Sequence, residues 1–354
     1  MKKELFGLFS HEIAAAVAEL GIEKYRGKQI AQWLYQRQTF DFQQMTDLSL
    51  KQRQLLEQHF TAYQVNAAAR QHSADGCTSK YLLELSDGLS VETVLMRQPY
   101  GASVCVSTQV GCGMGCIFCA SNLHGMTRNL TGGEILSQVL FVAGELAAAE
   151  PEGKGIHSIV IMGSGEPLAN YEQVLRFIRL LHEPYCLNLS YRSITLSTSG
   201  LEPAMQRLAG EGLPITLSIS LHAPNNEIRS RLMPINNTYP LETVLQAGDA
   251  YAAATGRRVT YEYTLIAGIN DQPEHARELA RLLKKRLANV NLIPVNPVPE
   301  RGLFRPEPTR VKSFGQILEA GGINATIRRE MGADIDAACG QLRKRVMEAK
   351  QTHD

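Results

Sequence analysis

Three cysteines, Cys112, Cys116 and Cys119, fall within eight residues in the run Cys112-Gly-Met-Gly-Cys116-Ile-Phe-Cys119. Thiolates are soft ligands, and three of them on one short loop suit a cubane iron-sulfur cluster whose remaining iron stays open to a chelating small molecule. Gly113 and Gly115 let the backbone wrap around such a group. The same thiols, with Cys105 or His124 as a fourth ligand, would make a structural zinc site, although zinc fingers more often use paired Cys-x-x-Cys knuckles. The chain has seven cysteines. In a reducing compartment a tight group of them points to metal or redox chemistry more than to a disulfide framework.

Other polar groups sit where such a site would need them. In Met162-Gly-Ser-Gly165-Glu166-Pro167, Gly165 permits close backbone approach and Glu166 can accept from an ammonium group. In Ile215-Thr-Leu-Ser-Ile-Ser220-Leu221-His222 a period of two puts Ile215, Leu217, Ile219 and Leu221 on one face and Thr216, Ser218, Ser220 and His222 on the other. A row of hydroxyls ending in an imidazole suits a polar ligand, and a half-solvated strand would look the same. Ser197 and Asn296 are further polar groups at strand ends, where capping and turn residues are also common.

The elements that position these groups follow from periodicity. The first ~60 residues have apolar positions such as Ile13, Val17, Leu20, Ile30, Trp33 and Leu34 at helical intervals, which predicts a small helical unit over 1–62. Its Lys24, Arg26, Lys28 and Arg37 could contact phosphates or simply face solvent. Two β-type runs, Lys80 to Leu85 and Leu89 to Met96, flank Ser86-Asp87-Gly88 and predict a hairpin within 63–100. From 101 to 340 six β-branched runs, Val104–Thr108, His157–Met162, Ser193–Ser197, Ile215–Leu221, Val259–Ile266 and Val290–Val295, alternate with helical stretches. That pattern predicts parallel strands with crossover helices, in a partial barrel or an open sheet, with the chemistry at the carboxyl ends of the strands. Thr131 and Glu134 stand in capping-box spacing before one helix. The stretch 341–354 reads as a frayed tail.

Composition sets outer bounds. With 44% hydrophobic and 20% charged residues the chain is an ordinary α/β globular protein, not a disordered or fibrous one. A formal charge of +1 means that any nucleic acid must be held by local basic patches, for which Arg281, Lys284, Lys285 and Arg286, and Arg301, Arg305, Arg310 and Lys312, are candidates. No export signal follows the basic start and no segment reads as a membrane span, so the protein is expected in the cytoplasm; a monomer is expected as well.

Taken together, these residues resemble the radical S-adenosylmethionine (SAM) superfamily, and within it the RNA adenine methyltransferases of the RlmN and Cfr type. Cys105-Val-Ser-Thr-Gln-Val-Gly-Cys112, Arg128-Asn-Leu-Thr131, Ser220-Leu-His-Ala-Pro224, Met233-Pro-Ile-Asn236 and Asp334-Ile-Asp-Ala-Ala-Cys339-Gly-Gln-Leu342 carry the resemblance, which spans nearly the whole chain. It implies a partial (βα)6 TIM-like barrel, with one [4Fe-4S] cluster on Cys112, Cys116 and Cys119. SAM would lie against Gly165, Glu166, Ser197, Ser220, Leu221, His222 and Asn296. Two SAM molecules would be consumed per methylation: one methylates Cys339, and the other yields a deoxyadenosyl radical that takes hydrogen from that methyl group. The carbon radical adds to adenine, Glu92 takes the ring proton, and Cys105 attacks the Cys339 sulfur to release the base as a disulfide forms. The implied partners are 23S rRNA, transfer RNA and a flavodoxin- or ferredoxin-type reductant. Glu166-Pro167 and Ile293-Pro294-Val295 resemble the adenine-C2 enzymes more than the Cfr-type C8 enzymes that confer antibiotic resistance. The reading from another class is a non-catalytic, zinc-stabilised RNA-binding protein. Cys77 and Cys186 match no motif.

Overall fold

A computed structural model describes residues 2–123, 125–296, 301–328 and 335. Cys339, His124 and the stretch 341–354 therefore lie outside the described residues. A short strand β1 (Lys3–Glu4) pairs with β2 (Phe60–Thr61), enclosing helices α1 (Ser10–Ala18), α2 (Arg26–Tyr35) and α3 (Leu50–His59). Their buried residues, among them Ile13, Val17, Ile30 and Leu34, belong to the same continuous apolar cluster as the main sheet. Tyr185 accepts from the Ser10 amide, and Arg176 forms an ion pair with Glu12, so the helical unit is fastened to the rest.

Strands β3 (Asn66–His72), β4 (Thr78–Glu84), β5 (Ser90–Gln98) and β6 (Gly101–Cys105) run antiparallel to one another. The expected hairpin is β4–β5, turning at Asp87-Gly88. It gains β3 at its edge and is continuous with the main sheet instead of standing before it. Beyond β6 come the small ribbon β7 (Gln109–Gly111) with β8 (Met126–Asn129), then α4 (Gly132–Ala149), β9 (Ile156–Ile161), α5 (Tyr171–His182), β10 (Ile194–Thr198) and α6 (Glu202–Gly210). β11 (Thr216–Ser220), α7 (Asn226–Leu232), α8 (Leu241–Thr255), β12 (Val259–Leu265), α9 (Pro273–Leu283), β13 (Ala288–Pro294), α10 (Pro308–Ala320) and β14 (Ala325–Ile327) complete the order. β6 and β9 through β14 are parallel neighbours in sequence order, so a seventh, three-residue strand extends the six expected. β14 was too short to announce itself by periodicity.

The capping box at α4 is present: Thr131 Oγ1 accepts from the Glu134 amide, and the Glu134 carboxylate accepts from the Thr131 amide. By length and composition α4 could cross a membrane, which corrects the expectation that no segment reaches that length. However, Ile135, Leu136, Val139 and Leu140 are buried in the core.

Alternation divides the sheet into two faces. Leu83, Val91, Leu95, Val104, Ile159, Ile161, Leu196, Leu217, Ile219, Val259, Tyr261 and Leu292 pack in the main core. Following the register from strand to strand, the other face carries Lys80, Glu92, Cys105, Ser197, Ser218, Glu262 and Asn291. Hydrophobic burial holds the first face; the second is an inner surface of hydrogen-bonding groups.

Candidate active site

The cysteine loop is bracketed by the β7–β8 ribbon, which holds its two ends together. Gly111, with φ +83°, closes the bracket: a Cβ there would lie 1.9 Å from the Gly125 carbonyl oxygen. Inside, the Leu232 carbonyl at the end of α7 accepts from the Ile117 amide, and Cys116 packs against Leu232 and Met233 in a second apolar cluster. Outside, Arg301 donates to the carbonyl of Ile117 at 2.6 Å and to Asn122 Oδ1 at 3.3 Å. Arg305 donates to the carbonyl of Val295 and to Asn296 Oδ1, and Arg286 bonds Asp249. Three cations offered as candidate nucleic-acid contacts thus also bond the protein's own loops and helix α8, a use that only tertiary proximity creates.

Burial pushes the thiols of Cys112, Cys116 and Cys119 up, and Cys116 is raised further by its two neighbours. These are protonated thiols in close mutual range, ready to lose protons to a metal centre. Among the described residues no three His, Cys, Asp or Glu side chains converge on one metal-ion position. A cubane gives each of three thiolates its own iron and leaves a fourth iron open, which three soft donors on one short loop suit. The donor set therefore fits an iron-sulfur cluster.

Around the loop, Gly165 takes φ +108°, and a Cβ there would meet the Gln109 side chain at 2.6 Å. Close approach is needed, as expected, but to Gln109. Glu166 is fully buried and accepts from Thr198 Oγ1 (2.8 Å), the Ser199 amide (2.7 Å) and the Leu168 amide (3.0 Å). Burial raises its pKa, and these donors pull it back. Of about four acceptor positions on a carboxylate, three are taken, so Glu166 is chiefly a clamp between strand ends with one position left for an incoming donor.

His222, two residues past β11, takes φ +56°, a left-handed position that histidine tolerates better than most residues. Its Nδ1 accepts from the Thr264 amide at 2.9 Å, which places the ring proton on Nε2. Burial, helped by the nearby Arg229 charge, draws its pKa down to about 3, so it is a neutral imidazole. Its ring meets Phe118 of the cysteine loop edge to face at 4.6 Å. Leu221, on the apolar face as its alternation predicts, has its side chain in the core and its amide donating to the Glu262 carbonyl, leaving its carbonyl oxygen for a ligand. Ser197 and Ser220 lie half-buried on the inner face, and Asn296 is exposed.

Glu92 and Cys105 occupy paired strands on the inner face. Cys105 is opposite Val94, two residues from Glu92. Glu92 is buried and forms an ion pair with the fully buried Lys80 at 3.0 Å, while its carbonyl accepts from Ser107 Oγ. Sequence reading missed Lys80, Glu262, Asn270 and Arg229. Asn270 donates to the carbonyls of His222 and Thr264 and so fixes the histidine turn. Glu262 accepts from Asn291 Nδ2 at 2.7 Å. The alternation Val259-Thr-Tyr-Glu262-Tyr-Thr-Leu265 would have exposed Glu262 had the tyrosines been taken as core residues.

A radical SAM superfamily model matches residues 106–282, and the ribosomal RNA large subunit methyltransferase N-terminal domain matches residues 3–62. A probable dual-specificity RNA methyltransferase RlmN of Symbiobacterium thermophilum is 54% identical over 97% of this chain and 92% of its own length. The chain belongs to the RlmN family of radical SAM RNA methyltransferases. An RlmN relative of Desulforamulus reducens is 50% identical over 97% of both chains. The crystal structure of a radical SAM methyltransferase from Sphaerobacter thermophilus superposes with a TM-score of 0.91 and 44% identity, covering 96% of this chain and 98% of that one. Membership in the RlmN family brings a [4Fe-4S] cluster and SAM, and sets aside the zinc-scaffold reading.

Proposed function

We propose that the chain methylates carbon 2 of adenine in 23S ribosomal RNA and in transfer RNA. The observation that carries this reading is a cysteine, Cys105, set beside a buried carboxylate, Glu92, on the inner face of the sheet from which the three-thiol loop follows. A simple SAM-dependent methyl transfer to oxygen or nitrogen would need no such thiol.

Cys112, Cys116 and Cys119 would hold the cluster. SAM would lie against the remaining acceptor position of Glu166, the hydroxyls of Ser197 and Ser220, the Leu221 carbonyl, His222 and Asn296. Bound there, the two groups supply one-electron chemistry able to remove hydrogen from an unactivated methyl group. The electron comes from a flavodoxin- or ferredoxin-type reductant. Cys339 carries the methyl group to the base, Glu92 accepts the ring proton as the base adduct gives back one electron, and the Cys105 thiolate attacks the Cys339 sulfur, the carbon leaving with its electron pair and taking a proton to become the methyl group. That attack breaks the bond to the modified nucleotide and leaves a Cys105–Cys339 disulfide, to be reduced before the next turnover. Lys80 holds the Glu92 carboxylate in place for its part. The RNA is bound with its target base flipped out of the stack.

Anaerobic reconstitution with SAM, a reductant and ribosomal RNA tests this, with the product read by mass spectrometry. Wild type should yield 2-methyladenine, and Cys339→Ala should keep its iron and yield none. Formation of 8-methyladenine would move the chain to the Cfr-type reaction; methylation by Cys339→Ala would remove the thiol pathway altogether.

A further inference from the structure

Arg229, in α7, has no exposed surface. Its Nη2 donates to the carbonyls of Ser199 (2.7 Å) and Ser220 (3.2 Å), and its Nη1 to Asn236 Oδ1 (2.8 Å) and the carbonyl of Tyr239 (3.3 Å). All four acceptors are neutral. Among the described residues no carboxylate stands within ion-pair distance, and Nε is buried without a partner. A buried cation without a counter-charge is costly, and proteins ordinarily pair such a group or neutralise it. Burial draws this guanidinium only down to about 10, so it remains charged at neutral pH.

Its position indicates where the missing negative charge belongs. The two carbonyls it holds end β10 and β11, and the Ser199 amide is itself bonded to Glu166. One turn along the same helix, Leu232 and Met233 form the floor under Cys116. Arg301, a second cation at the loop, is on the exposed side, where solvent screens it.

We infer that Arg229 is the permanent buried counter-charge of the cluster bound by Cys112, Cys116 and Cys119, and that it favours the reduced state of that cluster. The inference rests on assigning the cluster to those thiols. Three thiolates on a doubly positive iron-sulfur core leave the assembly with one net negative charge. Reduction by a low-potential electron-transfer protein adds one electron and no proton, making that charge two. A fixed positive charge in a poorly screened interior stabilises the second state more than the first, and cluster potentials follow such charges.

The test is a redox titration of the anaerobically reconstituted full chain without SAM, followed by the paramagnetic signal of the reduced cluster. Arg229→Gln removes the charge. Asn236→Asp keeps the guanidinium and sets a carboxylate where the 2.8 Å acceptor stands, at the cost of the Asn236 Nδ2 bonds to Asn226 and Ser230; read on protein with a full iron complement, it decides the matter even if Arg229→Gln does not fold. Either variant should lower the ratio of reduced to oxidised cluster at a given potential at least tenfold, a midpoint about 59 mV lower for one electron. Arg229→Lys should keep the wild-type midpoint. Asn236→Asp protein with a full iron complement and an unmoved midpoint overturns the inference. An unmoved midpoint with weakened SAM binding overturns it too, and assigns the charge to the carboxylate of SAM. Failure of wild type to take up iron and sulfide would instead overturn the cluster assignment.

Discussion

The two faces of the main sheet are made by alternate residues of the same strands, yet they obey different rules. On β11, Leu217 and Ile219 point into the helix-side core, while Ser218 and Ser220 point to the inner face with Ser197 and Glu262. The helix side is held by apolar area removed from water, so each side chain there contributes to stability through its volume. The inner face is held by hydrogen bonds that nearly balance what water would supply, and its groups are placed for a ligand. Stability and chemistry are thereby separated by a single residue step along the chain.

The sharpest way to break that comparison uses neighbours. Leu217→Ala should destabilise the protein by about 2–5 kcal/mol, as large-to-small core changes do, with SAM affinity little changed in the fraction that stays folded. Ser218→Ala should cost roughly 1 kcal/mol or less. Chemical denaturation of both variants checks it. Equal losses would mean that the inner face is as much a packed core as the helix side.

Legibility from sequence follows the same division. The cysteine loop and the Thr131 capping box could be read because each is a local pattern whose geometry is closed within a few residues. Six strands were legible through alternation. The strand β3, Asn66-Ala-Ala-Ala-Arg-Gln-His72, was not, because alanine and polar residues have no strand preference of their own; it forms because the edge of β4 offers it a ladder. Arg229 was not legible either: within Asn226-Glu-Ile-Arg-Ser-Arg-Leu232 it looks like any solvated helix charge, and only the packing of α7 over two strand ends buries it. The loop-bracing bonds of Arg301 and Arg305 were hidden for the same reason, because their partners are far away in sequence or set by a loop's fold.

A smaller effect separates the carboxylates of the two regions. On the inner face burial raises the pKa of Glu262, while Asn291, the Arg328 charge and Ser218 pull it partly back. A raised carboxyl binds its proton more tightly folded than unfolded, so stability is greatest below the ordinary carboxylate range. It falls as pH rises from there through the folded pKa. Glu262→Gln should therefore stabilise the SAM-free protein at neutral pH by something of the order of 1 kcal/mol, and the advantage should vanish by about pH 4. Thermal melts at the two pH values read the difference; a variant less stable than wild type at neutral pH would show the Glu262 charge to be compensated.

The helix side predicts the opposite sign with the least amplitude. Glu12, on α1, is held below the usual carboxylate range mainly by its hydrogen bonds to Arg176 on α5, with desolvation working against them. Both side chains are 30% exposed, and solvent screens the pair. A lowered carboxyl contributes stability that is present above its unfolded pKa and is lost as pH falls through the folded one. Glu12→Gln should accordingly destabilise by about 0.2–1 kcal/mol at neutral pH, and the deficit should close in acid and shrink in high salt. The same substitution type, glutamate to glutamine, then raises stability on one face and lowers it on the other, with both differences disappearing at low pH. Matching signs would mean that burial does not distinguish the two regions, because desolvation is what raises the first carboxyl and ion pairing with Arg176 is what lowers the second.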